Sequence, residues 1–230
     1  MNTLLIIDLE TTGLDPEIDS PIELGAILYS IPDRCTIQQI STLFPVVENP
    51  AENINQISAK ASQTVKNTEL VMTLFQEWVN MSDYLVAHNV EFDRKWFGQG
   101  ILPVIDKPWL CTYDDFIWPN NPKPTSLVNT ALNHGIGVNQ AHRALTDSQL
   151  IALLFDRIPN LLDLVDQAVK RSIEPRISII AKLSYDDRQQ AKDWKFIWDR
   201  KNRLWVKKIR LREYEREKSQ YPFPILEQYL

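Results

Sequence analysis

Three strand-like runs in immediate succession, ahead of any helical stripe, constrain the fold of this chain more than anything after them. Residues 3–9 form an apolar run, broken by Thr11-Thr12-Gly13 and Asp15-Pro16; residues 21–29 read as a second strand and residues 35–44 as a third. Ile31-Pro32-Asp33 between the last two is a hairpin signal, because proline pre-sets a turn angle and cannot donate to a ladder. The apolar period then changes. Leu70, Val71, Leu74, Phe75, Trp78 and Val79 recur at helical spacing, one stripe of an amphipathic helix. Residues 84–87 read as a short buried strand, 91–97 as a helix and 109–111 as another strand. Leu127, Ala131 and Leu132 mark a helix stopped at Gly135. Leu150, Leu153, Leu154 and Ile158 mark one that begins near Arg143 and stops before Pro159. This order predicts an α/β domain, a mixed sheet flanked by helices.

The chain has 230 residues, enough for one full core with a small module left over. Its charge is divided: residues 1–169 hold 9 Lys and Arg against 21 Asp and Glu, −12, whereas residues 170–230 hold 16 against 9, +7. Such a split suggests two tasks in one chain. The boundary is expected near residues 172–175, giving domains 1–172 and 173–230. Cys35 and Cys111 stand far apart and in no metal-ligand spacing, so a disulfide scaffold and a zinc ribbon are excluded. The cysteine usage points to a reducing, cytoplasmic location. The opening apolar run is too short for a signal peptide or a membrane span, so no membrane partner is expected.

Three polar clusters carry chemistry. In Ile7-Asp8-Leu9-Glu10, side chains alternate along a strand, so Asp8 and Glu10 share a face. Two carboxylates that close repel and attract a hard cation such as Mg²⁺ or Mn²⁺; two solvated acids at a strand end would read the same. In residues 85–93 a buried strand ends in His88-Asn89, with Asp93 on the next helical turn. Ligand sites gather at such strand ends, although a helix cap at Asn89 and a surface acid at Asp93 fit equally. In His142-Arg143-Ala144-Leu145-Thr146-Asp147, a spacing of five is about 140° around a helix. Both residues cannot share a helical face, so Asp147 belongs on the helix and His142 on the loop before it. A loop histidine beside a metal has the right ordinary pKa, about 6.5, for a general base; an ordinary surface histidine is the alternative.

Taken together, the clusters resemble the DEDDh exonucleases, the DnaQ-like branch of the ribonuclease H-like superfamily that includes the proofreading subunits of bacterial replicative polymerases. Asp8-x-Glu10-Thr11-Thr12-Gly13-Leu14, extending into Ile22-Glu23-Leu24-Gly25, is similar to the first family motif. Ala87-His88-Asn89-x-x-Phe92-Asp93 is similar to the second, and His142-x-Ala144-x-x-Asp147 to the third, in its histidine form. Residues 126–136 resemble the usual lead-in helix, and the likeness covers roughly residues 3–158. Ile57-Ser58-Ala59 and Cys111-Thr112 depart from the common pattern and bear on substrate preference.

The resemblance implies a ribonuclease H-like fold and a 3′–5′ exonuclease that releases 5′-nucleoside monophosphates, most of all from single-stranded DNA. Ribonuclease trimming of short RNA 3′ ends and a non-catalytic nucleic-acid clamp are the alternatives. Asp8, Glu10, Asp93 and Asp147 would hold two divalent cations, Mg²⁺ or Mn²⁺, about 4 Å apart, with His142 as base. Thr11, Leu14, His88 and Asn89 would contact the substrate, Leu14 as a wedge between the last two bases. The partner is nucleic acid with a free 3′ end.

The basic remainder reads as a β-α-hairpin module. Residues 177–183 form a strand, and Ser184 with Asp187 is a capping-box pattern for a helix running to about Trp194. Residues 196–199 and 203–206 flank a turn at Arg200-Lys201-Asn202. The whole resembles a short module attached to DNA-processing proteins. Trp194, Phe196, Trp198 and Trp205 alternate with Lys192, Lys195, Arg200, Arg203, Lys207 and Lys208. Aromatic platforms with cations suit single-stranded nucleic acid, but so small a module needs most of its rings for its own core. Residues 221–226, apolar and proline-spaced, would pack on the first domain or dock a protein partner.

Overall fold

The computed structural model describes residues 2–121 and 124–229. The first three runs fold as an antiparallel meander of β1 (Thr3–Thr11), β2 (Pro21–Ser30) and β3 (Cys35–Leu43). Short helices α1 (Glu52–Asn55) and α2 (Ala59–Ser62) lead to α3 (Thr68–Met81), the helix of the apolar stripe. The chain returns as β4 (Tyr84–Ala87), α4 (Val90–Arg94) and β5 (Trp109–Cys111), then closes with α5 (Leu127–Asn133), α6 (Ala144–Arg157) and α7 (Leu161–Ser172). β4 runs parallel to β1 and β5 parallel to β4, so the mixed sheet has the order β3-β2-β1-β4-β5.

Strand alternation sorts the core. Leu4 and Ile6 of β1, with Ile27, Tyr29 and Val86, pack against Ile151, Leu154 and Phe155 of α6 and Leu164 and Val165 of α7. Leu5, Ile7 and Leu9, with Leu24, Ala26 and Leu28, pack on the opposite side with Phe75, Trp78 and Val79 of α3. Helices on both faces explain why β1 and β2 read as continuous apolar runs instead of alternating ones. Each fully buried aliphatic chain contributes about 1.5–3 kcal/mol. The same alternation aims Asp8 and Glu10 at the α6 side.

Contacts divide the chain into two units, Met1–Ser172 and Ile173–Leu230. In the second, β6 (Arg176–Ala181), α8 (Arg188–Asp193), β7 (Ile197–Asp199), β8 (Leu204–Arg210), α9 (Leu211–Glu217) and β9 (Ile225–Tyr229) build an antiparallel sheet ordered β7-β8-β6-β9. Ile177, Ile179, Phe196, Trp205, Tyr214 and Phe223 form its core, with Trp194 and Trp198 packed at the margin. No helix among the described residues is long and apolar enough to cross a membrane.

Four local readings change. The helix expected at 91–97 stops at Arg94, because the chain turns through Gly98 and Gly100, both at positive φ. Ser184 Oγ donates to Asp187 Oδ2 at 2.9 Å and closes a turn, so α8 starts later, at Arg188, without a side-chain cap. Residues 221–226 belong to the module itself: β9 pairs with β6, and Phe223 is buried in the module core. Lys207, grouped in sequence with surface cations, is half-buried and donates to Glu217 and Tyr221.

Candidate active site

β1 ends in a register slip between Glu10 and Thr11, and β4, parallel to it, ends at Ala87. Their ends therefore open together on the α6 side of the sheet. After β4, Asn89 takes a left-handed conformation (φ 72°, ψ 57°), which asparagine tolerates better than most residues. Its side chain makes no capping bond; the backbone reversal is its contribution. The turn starts α4 so that Asp93, 1% exposed, accepts the Leu9 N–H at 3.1 Å.

The third cluster also depends on a left-handed residue. His142 has φ 62°, and its N–H donates to Asp147 Oδ2 at 3.2 Å. The side chain of the α6 acid thus reaches back to the loop histidine, the division of labour that the five-residue spacing demands. One ligand atom each of Glu10, His142 and Asp147 lies within 4.8 Å of the others. Arg143 points elsewhere, to Glu23: Nε to Oε2 at 2.9 Å and Nη2 to Oε1 at 2.8 Å. Glu23, 1% exposed, also accepts the Ala144 N–H at 3.0 Å and the Ser41 hydroxyl at 3.0 Å.

A cavity of about 510 Å³ collects these parts. Asp8, Glu10, Thr11, Leu14, His88, Asn89, Asp93, His142 and Asp147, the nine residues that the resemblance implies for the active site, all line it. Leu14, 76% exposed, stands on the loop after β1, where its carbonyl accepts from Lys95 Nζ. His88 Nδ1 lies 2.9 Å from Thr112 Oγ1, and burial pushes the ring down to about 4, which keeps it neutral at pH 7. Sequence reasoning missed Asn55. It is buried on the cavity wall, donates to the Thr11 carbonyl at 3.3 Å, and is tied to Asn49. Nothing in a polar residue 44 positions away signals that contact. The Glu23–Arg143 pair was equally invisible as a pair, although Glu23 stands in the extended first motif.

The electrostatics are those of uncompensated acids. Burial, then Asp93, Asp147, Glu10 and Glu23, raises Asp8 well above the usual carboxylate range. Glu10 is pushed up to about 8 by burial, with Asp147 and Glu23 adding and Arg143 offsetting in part. Burial also raises Asp93, against the Leu9 N–H, and Asp147. Asp147 Oδ1 is buried without a hydrogen-bond partner among the described residues. Four carboxylates with raised proton affinity and one orphaned oxygen form a donor set fitted to hard divalent cations.

The exonuclease family model RNase_T matches residues 5–155. The PolC-type DNA polymerase III of Thermotoga petrophila is 26% identical over 166 residues, 70% of this chain. The chain spans only 12% of that polymerase. Among solved structures, exonuclease X in complex with 5′-overhanging duplex DNA superposes with a TM-score of 0.54 at 25% identity, covering 72% of this chain and 99% of that one. The nuclease domain of 3′hExo, described as a DEDDh family member bound to rAMP, gives 0.56 at 16% identity, covering 68% and 90%.

Proposed function

The chain belongs to the RNase_T exonuclease family, and from that premise we propose that it is a metal-dependent 3′–5′ exonuclease of the DEDDh form acting on single-stranded DNA. One observation carries the reading. The four carboxylates and His142 line a single cavity in which Asp147 Oδ1 has no partner among the described residues. Asp8, Glu10, Asp93 and Asp147 would hold two divalent cations, Mg²⁺ or Mn²⁺. When bound, these supply charge compensation for the phosphate and acidify water. His142, outside the carboxylate cluster's interior and exposed, takes the proton of the attacking water. The water oxygen bonds to phosphorus as the P–O3′ bond breaks, leaving a 5′-nucleoside monophosphate and a shortened strand. Asn55 fixes the Thr11 carbonyl, so that the backbone after β1 meets the terminal sugar in one geometry. Leu14, projecting at the rim, contacts the bases, and neutral His88 lines the floor as a hydrogen-bonding group without charge.

DNA is favoured because the polymerase relative described above is a DNA polymerase and exonuclease X is seen with DNA. The test is end-labelled single-stranded DNA, duplex DNA and RNA of one sequence, each with Mg²⁺, Mn²⁺ or EDTA. The proposal expects mononucleotides released from the 3′ end of single-stranded DNA, and none in EDTA. Faster trimming of RNA would reassign the substrate. Binding without turnover under every metal would leave a clamp.

A further inference from the structure

Residues 173–230 carry 14 Lys and Arg against 9 Asp and Glu, +5, while residues 1–172 carry 11 against 21, −10. A polyanion is attracted by the field of residues 173–230 and repelled by that of residues 1–172. Part of the module's positive charge is consumed internally. Lys207 pairs with Glu217, Arg210 with Glu174 and Glu213, and Lys218 with Glu215. Lys182, Arg188, Lys192, Arg200, Lys201 and Arg203 are exposed. None of the six makes an ion pair among the described residues.

Three of these six sit on the turn between β7 and β8. That turn is pinned by Asp199, whose carboxylate accepts the Lys201 and Asn202 N–H groups at 2.9 and 3.1 Å and the Asn202 amide at 2.7 Å. The one acid within the hairpin is thus turned onto the backbone, and the three cations project from a fixed loop. Lys182 follows β6 at the same end, where Ala181 pairs with Trp205. Beside them lies an aromatic step. Trp205 is buried, its indole N–H donating to the Ser184 carbonyl at 3.1 Å. Trp198 tilts against it at 5.0 Å. Tyr185 stacks near-parallel to Trp205 at 6.2 Å and meets Trp198 edge-on at 5.0 Å, yet remains 53% exposed. The Arg188 guanidinium lies 5.7 Å from the Tyr185 ring centre.

A held aromatic ring, half in solvent, with an arginine against it and a cation-bearing turn on the hairpin that supports it, is what an unpaired base and its flanking phosphates require. We infer that this end of the module is a second binding surface for single-stranded nucleic acid, with Tyr185 stacking on a base and Lys182, Arg200, Lys201 and Arg203 contacting phosphates. An acidic polypeptide would use the same charges but has no π-face to present to Tyr185. The assignment of nucleic acid as the ligand rests on the exonuclease reading; the surface itself does not.

The experiment measures binding of the full chain to labelled oligo(dT) of ~20 nucleotides in EDTA across a salt series, and in parallel cleavage of a dinucleotide in Mg²⁺. Replacing Arg200, Lys201 and Arg203 together by Gln should lower the log–log salt slope by about 2, at roughly 0.7 per lost phosphate contact on single strands. Tyr185→Ala should weaken binding by about tenfold without changing the slope, and Tyr185→Trp should restore it. The triple variant and Tyr185→Ala should raise KM on the long strand, Tyr185→Trp should return it to the wild-type value, and all of them should leave dinucleotide cleavage at the wild-type rate. An unchanged slope in the triple variant would overturn the inference. So would Tyr185→Ala binding like wild type while polyglutamate competes as well as oligonucleotide, which would make the surface a protein site. If the wild-type chain cleaves no dinucleotide, the exonuclease reading fails, and the binding series in EDTA still judges the surface.

Discussion

At the scale of single residues the acids of the site repel one another, and pH exposes this. Glu10 has its proton affinity raised from the ordinary 4.5 to about 8. Below pH 4.5 folded and unfolded chains both carry the proton, and the stabilisation is complete. Between 4.5 and 8 only the folded chain holds it, so stability falls as pH rises and is lost above 8. Metal-free protein should therefore melt at progressively lower temperature from pH 5 to 9, and Mn²⁺ should reverse the fall. Asp147→Asn should lose nearly all cleavage yet melt higher than wild type in EDTA, by ~2–4 °C for each kcal/mol of repulsion removed. A flat melting profile in EDTA would mean the acids do not converge. His142→Ala should lower turnover about 10²–10⁴-fold, the usual loss for a general base, with little change in KM. The buried Glu23 is the counter-case, since its charge is fully compensated. Arg143→Leu strands that carboxylate and should cost about 3–5 kcal/mol. Adding Glu23→Gln should recover part of it, a coupling that urea unfolding of the single and double variants will read. The acids and the histidine were legible because three motifs name them. Arg143 and Asn55 were not, since their partners lie 120 and 44 residues away and only the fold introduces them.

At the scale of elements, the seat of α6 on β2 decides where His142 and Asp147 go. Gly25 pairs with Asp8 on the face toward α6, and a Cβ there would lie 2.2 Å from the Leu145 nitrogen and 2.3 Å from the Ala144 carbonyl carbon. Backbone cannot yield as a side-chain tip can. Gly25→Ala should therefore lift the first turn of α6, cost about 1–3 kcal/mol as overpacking does, and lower kcat by more than stability alone explains. Gly137→Ala, with nothing within 4 Å, is the control and should leave both unchanged. Normal turnover in Gly25→Ala would show that the close seat is not what places the third motif. The helices and strands with strong periodicity were readable: α3, α6, β1 and β2 each announce one face or two. β9 was not. Its Tyr221-Pro222-Phe223-Pro224 lead looks like a linker, and its strand character comes from an edge of β6 whose paired residues lie 44 to 52 positions earlier. α7 was passed over although Leu161, Leu164, Val165 and Ala168 follow helical spacing, because Pro159-Asn160 reads as the end of a domain instead of a helix start.

At the scale of the molecule, the chain joins a strongly acidic unit, which on the proposed function acts on phosphodiesters, to a basic one. The division falls between Ser172 and Ile173, and the charges of the two units, −10 and +5, are opposite. Each unit has its own core, with no residue common to both sets of buried side chains. A chain ending at Ser172 should accordingly keep a cooperative melt. Its carboxylate cavity takes the terminal nucleotides only, so cleavage of a dinucleotide in Mg²⁺ should continue at a similar kcat. A strand of ~20 nucleotides is different: its remaining phosphates meet net negative potential, and without the module KM should rise steeply at low salt, where fields reach about 30 Å at 0.01 M. Salt screens that repulsion as it weakens the attraction in the full chain. The two proteins should therefore respond to salt with opposite sign, KM on long strands rising with salt for the full chain and falling for the truncated one. Parallel responses would mean that the module's charge serves something other than the substrate.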